Sequence, residues 1–278
     1  MPAQNRRETD TLPPEIDTTR PHSARIYDYM LGGKDNFAAD RAVADQVLAA
    51  WPAMRISTRE NRKFIGRAVR YLAGEAGIDQ FLDIGSGLPT VANVHEVAQA
   101  INPAARVVYV DNDPLVLTHA RALLTSSAAG KCAYIQADLR EPKKILSDPV
   151  TQETLDFTRP IGLILAAVVH FLVPEDEPKR IITALLDALP PGSYLVASHG
   201  STEYGTQEEA DVVLGIIQAG GVRVEPRSSH DFGHLVFDGL ELVAPGVVLL
   251  PEWRPAADGA PRPGGREVGA NAGVARKA

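Results

Sequence analysis

The chain predicts an α/β fold, a mostly parallel sheet with helices on both faces. Three observations predict it. Apolar runs of strand length recur at 80–84, 106–110, 133–137, 161–166 and 193–198. Helical stripes or helix-start signals lie between them, not hairpin turns; strands that alternate with helices in this way pair in parallel. The first run leads into a glycine-rich turn, Gly85-Ser86-Gly87, and a helical stripe follows. Ligands of such sheets bind outside the carboxyl ends of the strands, near the topological switch point.

The elements follow in order. Residues 1–20 are polar and aperiodic, which predicts a disordered tail. Residues 21–75 predict a helical cap. Ser23 to Leu31 is helical and stops at Gly32-Gly33, and Ala38 to Ala50 resumes with Val43, Val47 and Leu48 on one face. Ser57-Thr58-Arg59-Glu60 has the form of a capping box, before a helix that presents Phe64, Ile65, Ala68, Val69 and Leu72 and ends near Gly74. The core domain is expected over 76–278. Val91, Val94, Ala98 and Ile101 form one stripe; Ile181, Ile182, Leu185, Leu186 and Leu189 form another, closed by Pro190-Pro191-Gly192. Asp113-Pro114 and Asp148-Pro149 each combine an N-cap with a proline in the first turn. Thr206-Gln207-Glu208-Glu209 is a second capping box, opening a helix to Ala219. Leu240 to Val243 and Val247 to Leu250 predict strands, and the Pro-, Gly- and Ala-rich stretch 254–270 predicts a mobile loop.

Composition narrows the functions. The 278 residues suffice for one large domain with a cap, and 45% apolar with 23% charged content fits a soluble globular protein. A net charge of −7 argues against nucleic acid or an anionic membrane as the main partner. The single Cys132 excludes an internal disulfide and an all-cysteine metal site. His230 and His234 stand four apart with nothing nearby to complete a ligand set, so no metal is expected. Met1 to Arg20 does not resemble a signal peptide. The longest apolar run, Ile161 to Val173, carries His170 and falls short of the about 20 residues of a membrane helix. A cytoplasmic location is the expectation.

Four features at strand ends carry the chemistry. The first is Asp83, just ahead of Gly85, Ser86 and Gly87. A carboxylate there would repel a nucleotide pyrophosphate but favours the ammonium and sulfonium of S-adenosylmethionine. The second is Asp111, at the end of Val107-Val108-Tyr109-Val110 and spaced from the glycine turn as a ribose-binding carboxylate commonly is. The third is Asp138, ending Tyr134-Ile135-Gln136-Ala137, where a carboxylate can accept from an adenine amino group. The fourth is the exit of the 161–166 strand, with His170 as the candidate catalytic group. Each has a plainer reading as a turn residue or, for His170, a packed histidine. Tyr27, Asp28 and Asn36 flank the Gly32-Gly33 break and are candidate lid or acceptor contacts; a solvated helix-turn-helix is the alternative.

The ordered set resembles class I SAM-dependent methyltransferases over about residues 60–278. The run from Pro21 to Phe37, Arg59-Glu60-Asn61-Arg62-Lys63-Phe64, Asp83 to Thr90 with Asn93 to Val97, and Phe237 to Val243 with Pro245-Gly246 are similar to an actinobacterial S-adenosyl methyltransferase family formerly catalogued as a domain of unknown function. That resemblance implies a Rossmann-like sheet of seven strands, mostly parallel, whose last strand, Gly273 to Lys277, inserts antiparallel between earlier ones. It implies S-adenosylmethionine as cofactor and S-adenosylhomocysteine as product. Asp83 would take the methionine ammonium and Gly85-Ser86-Gly87 the methionine and ribose. Asp111 would hold the ribose, Asn112 would lie near the adenine, and Asp138 and Leu139 would flank it. The exit Ala167-Val168-Val169-His170, in place of an Asn-Pro-Pro-Tyr-type motif, suits a small-molecule acceptor. Two other classes stay open: a non-catalytic SAM-binding sensor or scaffold, and a nicotinamide-dependent oxidoreductase, against which Asp83, Thr90 and Asp138 count. Acceptor and oligomeric state are not legible.

Overall fold

The computed structural model describes residues 16–278 except 91, 124, 125 and 258. Most of the expected tail over 1–20, and Val91 of the expected stripe, lie outside the described residues. Five parallel strands form the larger part of the sheet: β1 (Gln80–Ile84), β2 (Arg106–Asp111), β3 (Lys131–Gln136), β4 (Gly162–Ala166) and β5 (Tyr194–Gly200). Their spatial order is β3-β2-β1-β4-β5, so the chain reverses direction across the sheet between β1 and β4. Two short strands, β6 (Glu241–Leu242) and β7 (Val248–Leu249), precede β8 (Ala270–Arg276). β8 runs antiparallel to β5, and β6 and β7 pair with its other edge.

The period-2 alternation of the strands divides the core. Leu82 and Ile84 of β1 face a cluster with Ile145, Ile181, Leu185, Phe232 and Phe237. These come from α6 (Pro142–Ser147), α8 (Pro178–Asp187) and α10 (Ser229–Phe237). Phe81 points the other way, into a cluster with Phe64, Leu72, Ala98, Trp253 and Val268. That face is covered by α3 (Met54–Gly74), α4 (Val94–Ile101) and α11 (Gly265–Val268). The remaining helices are α1 (Ser23–Leu31), α2 (Ala38–Ala50), α5 (Pro114–Leu123), α7 (Pro149–Thr154) and α9 (Gln207–Ala219). Among the described residues no helix is long and apolar enough to cross a membrane.

α1 and α2 are docked through a buried charge network. Arg25 Nε lies 3.0 Å from Asp113 Oδ2 and 3.7 Å from Asp40 Oδ1. The guanidinium also donates to Asp17 O and Arg20 O. Asp40 accepts from His22 N and Phe37 N, which tie the start of both helices to it. Arg25, Asp40 and Asp113 are all buried, Asp40 completely.

The structure departs from the local signals in several places. α3 begins at Met54, so Ser57-Thr58-Arg59-Glu60 lies inside the helix and is not its cap. There Thr58 Oγ1 bonds back to Arg55 O and Glu60 pairs with Lys63. α10 has no counterpart among the expected elements; Ser228 caps it by accepting from Asp231 N. The expected strands at 240–243 and 247–250 contract to two residues each. The stretch 254–270 does not stay irregular to its end: α11 folds within it, Val268 is fully buried, and Ala270 already belongs to β8. β8 itself reads Ala-Asn-Ala-Gly-Val-Ala-Arg, weak strand material, yet six of its seven residues are buried. Glycine is demanded at position 273, since a Cβ there would stand 2.9 Å from the Phe237 ring.

Two outcomes are expected. Arg25→Ala leaves Asp40 and Asp113 without their cation and should cost about 3–5 kcal/mol in urea denaturation; a loss within ~0.5 kcal/mol, typical of a surface change, would refute the docking role. Deletion of 271–278 strips β5 of its antiparallel neighbour and should lower the melting temperature of the whole chain. A full-length-like melting temperature would show that the sheet closes without β8.

Candidate active site

A cavity of about 740 Å³ opens at the carboxyl ends of the strands, beneath α1, α2 and α3 and beside α9. That volume falls within the range of about 300–1,000 Å³ usual for small-molecule sites. Asp83, Gly85, Ser86, Gly87, Asp111, Asn112, Asp138, Leu139, His170 and Tyr27 all border it. Residues spread over 143 positions of sequence (27 to 170) therefore meet in one space.

The glycine turn is shaped by contacts that only glycine permits. Gly85 and Gly87 have φ of 74° and 67°. A Cβ on Gly85 would lie 2.5 Å from Val168 Cγ2, so the turn presses against the exit of β4. Gly85 N and Ser86 N donate to Val110 O, and Gly87 N donates to Asp111 Oδ2 at 2.8 Å. Asp111 Oδ1 accepts from Asp113 N at 3.0 Å. Asp111 thus cross-links the first and second strand exits.

Asp83 is buried, and burial pushes its carboxyl up to about 7, against the pull of the Arg62 guanidinium and with a further push from Asp111. Burial likewise raises Asp111, opposed by the backbone donors of Asp113 and Gly87. Arg62, from α3, borders the cavity. Among the described residues its guanidinium has no ion-pair or hydrogen-bond partner, and its Nε is buried. Ser86 Oγ is also buried without a partner. Asp138 has its own supports: Asn112 Nδ2 donates to Oδ2 at 3.0 Å, and Arg140 N donates to Oδ1 at 2.8 Å. Arg140 is held in turn by Asp176 and by Phe171 O.

His170 sits at the β4 exit, its Nδ1 3.4 Å from Gly200 N. Nδ1 accepts in that bond, which places the proton of the neutral ring on Nε2. Burial, reinforced by Arg227, lowers the ring to about 4. At neutral pH His170 is therefore a donor, not a strong base. His199 is neutral too: its Nδ1 meets Gly200 O and its Nε2 meets Arg227 Nη1.

The cap contacts divide. Tyr27 borders the cavity, donates to Thr58 O and accepts from Asn61 Nδ2, each at 3.0 Å. Asn61 Oδ1 accepts from Ser198 Oγ, whose oxygen accepts from Ala167 N, so one hydrogen-bond chain joins α1, α3, β5 and the β4 exit. Asp28 and Asn36 are not among the lining residues. Their side chains turn inward and close the Gly32-Gly33 turn: Asp28 Oδ2 accepts from Asp35 N and Asn36 Nδ2, and Asn36 Nδ2 also reaches Gly33 O. Arg62 and Ser198 were not singled out from sequence. For Arg62 a signal existed, since it stands within the Arg59 to Phe64 motif. His230 and His234 lie on α10.

A family model described as S-adenosyl methyltransferase matches residues 9–278. No curated protein matches the chain. The crystal structure of a DUF574 family protein from Streptomyces avermitilis is 45% identical, with a TM-score of 0.90 over 95% of this chain and 100% of that one. That of a candidate methyltransferase from Thermobifida fusca is 44% identical, with a TM-score of 0.87 over 97% of this chain and 99% of that one. The fold, the strand-end cavity and a match over nearly the whole length lead to one conclusion: the chain belongs to the S-adenosyl methyltransferase family and is a SAM-dependent methyltransferase, with S-adenosylmethionine as its methyl donor.

Proposed function

We propose that the strand-end cavity holds S-adenosylmethionine and a small-molecule methyl acceptor side by side. The observation that carries this reading is the sorting of unmatched polar groups onto the glycine-turn side of one covered cavity. The donor set fits the group. Asp83 offers a carboxylate to the methionine ammonium. Arg62 and Ser86 offer the methionine carboxylate a guanidinium and a hydroxyl that have no partner among the described residues. Asp111 serves the ribose side, Asn112 lies near the adenine, and Asp138 and Leu139 flank it. When bound, the cofactor supplies an electrophilic methyl group on a sulfonium that leaves as a neutral thioether.

The protein's own part is orientation. Asp111 holds the glycine turn against the Asp83 exit, and the close approach of Gly85 to Val168 keeps the turn from shifting. The Tyr27–Asn61–Ser198 chain ties the cap to β4 and β5, so the covering helices and the sheet move together. A fixed arrangement of this kind lowers the barrier by proximity. His170 presents Nε2–H, which positions an acceptor through a lone pair and takes no proton from it. The acceptor then enters as a nucleophile that needs no deprotonation by His170.

Calorimetry tests the site. S-adenosylhomocysteine should bind the wild type at micromolar level, and Asp111→Ala and Arg62→Ala should each weaken it at least tenfold, about 1.4 kcal/mol. Equal affinity in the variants would remove these residues from the site, and no binding to the wild type would remove the site itself.

Asp83 adds a pH dependence. Ligand ammonium favours its ionised form, so affinity should fall about tenfold from about pH 8 to about pH 6, while Asp83→Asn should be flat. The stability sign is opposite. Between its ordinary 3.8 and about 7 the folded protein keeps a proton that the unfolded chain has lost, so this group's contribution declines as pH rises. Asp83→Asn should therefore raise the melting temperature near pH 8 more than near pH 5. Parallel pH profiles for variant and wild type would contradict both statements.

A further inference from the structure

The cavity is chemically divided. Arg62, Asp83, Asp111, Asp138 and Arg140 gather on the glycine-turn side. The other side is bounded by Met30, Val47 and Trp51 from the cap and by Val213, Leu214 and Ile217 from α9. The charges that border this second side each have an ion-pair partner within the protein. Glu209 pairs with Arg266 at 2.7 Å, and Arg223 lies 3.5 Å from the Asp176 oxygen that also holds Arg140. Trp51 spends its one polar atom on Arg266 O, so its ring is what remains for the cavity.

α9 carries an independent sign. An amphipathic helix ordinarily sinks its apolar stripe into the core. α9 has such a stripe at Ala210, Val213, Leu214 and Ile217, yet not one of its residues is buried. It packs mainly on α2, and the stripe borders the cavity. Val213 and Ile217 also touch the small cluster of Met30, Val43, Ala44 and Val47, whereas Leu214 borders the cavity without joining that cluster.

We propose that the space between the cap helices and α9 is the acceptor subsite, and that its occupant is a neutral small molecule with an apolar, ring-like body held without an ionic contact. The proposal rests on the reading that the other half of the same cavity holds the methyl donor. A charged acceptor would lose its hydration there, because Glu209, Arg266 and Arg223 on that side already have ion-pair partners and Arg62 lies on the donor side. An apolar body would instead cover the stripe that the fold leaves open.

The test uses two fluorescent probes of one shape, neutral N-phenyl-1-naphthylamine and its anionic relative 8-anilinonaphthalene-1-sulfonate. Both are titrated into the full chain saturated with S-adenosylhomocysteine. The neutral probe should bind at least about tenfold more tightly than the sulfonate. Leu214→Asp should weaken the neutral probe about tenfold or more while calorimetric S-adenosylhomocysteine affinity stays within about twofold. Equal binding of both probes, no binding of the neutral probe, or an unchanged Leu214→Asp titration would overturn the proposal. Loss of S-adenosylhomocysteine binding in the wild type would be seen in calorimetry alone; it would overturn the donor-site reading, and this proposal with it.

Discussion

The seating of α1 and α2 above the sheet depends on Arg25. Its guanidinium stands between Asp113, at the exit of β2, and Asp40, on α2, while its outer nitrogens hold the backbone of Asp17 and Arg20. Burying three charges is costly, and such a network adds little net stability against a well-packed apolar substitute. Its value lies in geometry. Each carboxylate is left uncompensated unless the cap sits in one position, and that position puts Tyr27 and Met30 over the strand ends. Asp113 is two residues from Asp111, which holds the glycine turn. One strand exit thus anchors the roof of the cavity and the floor.

Polarity then sorts along the cavity. The parallel strands end in carboxylates on the side where β1, β2 and β3 lie, and α3 adds Arg62 to them. The opposite side is built from α2 and α9, whose apolar stripes meet across it. Such a division suits a reaction between a charged cofactor and a second molecule, because each partner finds its own kind of surface. On the proposed reading the methyl-transfer step rests on alignment. The only histidines near the β4 exit, among the described residues, are held neutral by burial and by Arg227.

Much of this was legible in local signals. The five parallel strands follow from apolar runs bounded by caps, and their ends fall within two residues of the runs. The glycine turn and the carboxylates at Asp83, Asp111 and Asp138 follow from spacing, because a strand exit is a local feature. Other elements were not legible for a physical reason. β6 and β7 exist only as partners of β8, and β8 forms along the edge that β5 offers, with Gly273 fitted under the Phe237 ring. Asp28 and Asn36 look like ligand contacts in a polar segment, but their carboxylate and amide are consumed in closing a turn.

The amino-acid order by itself determined which segments are strands and helices, where the glycine turn lies, and which acidic residues end the strands. These depend on neighbours a few positions apart: periodicity, capping and φ preference. Tertiary structure alone decided that Arg62 has no partner among the described residues, that His170 is a donor, and that α9 fronts a cavity. Those properties depend on burial and on partners distant in sequence, as Gly200 is from His170 and Arg266 from Trp51. Burial and hydrogen-bond satisfaction belong to the folded whole, and no local pattern encodes them.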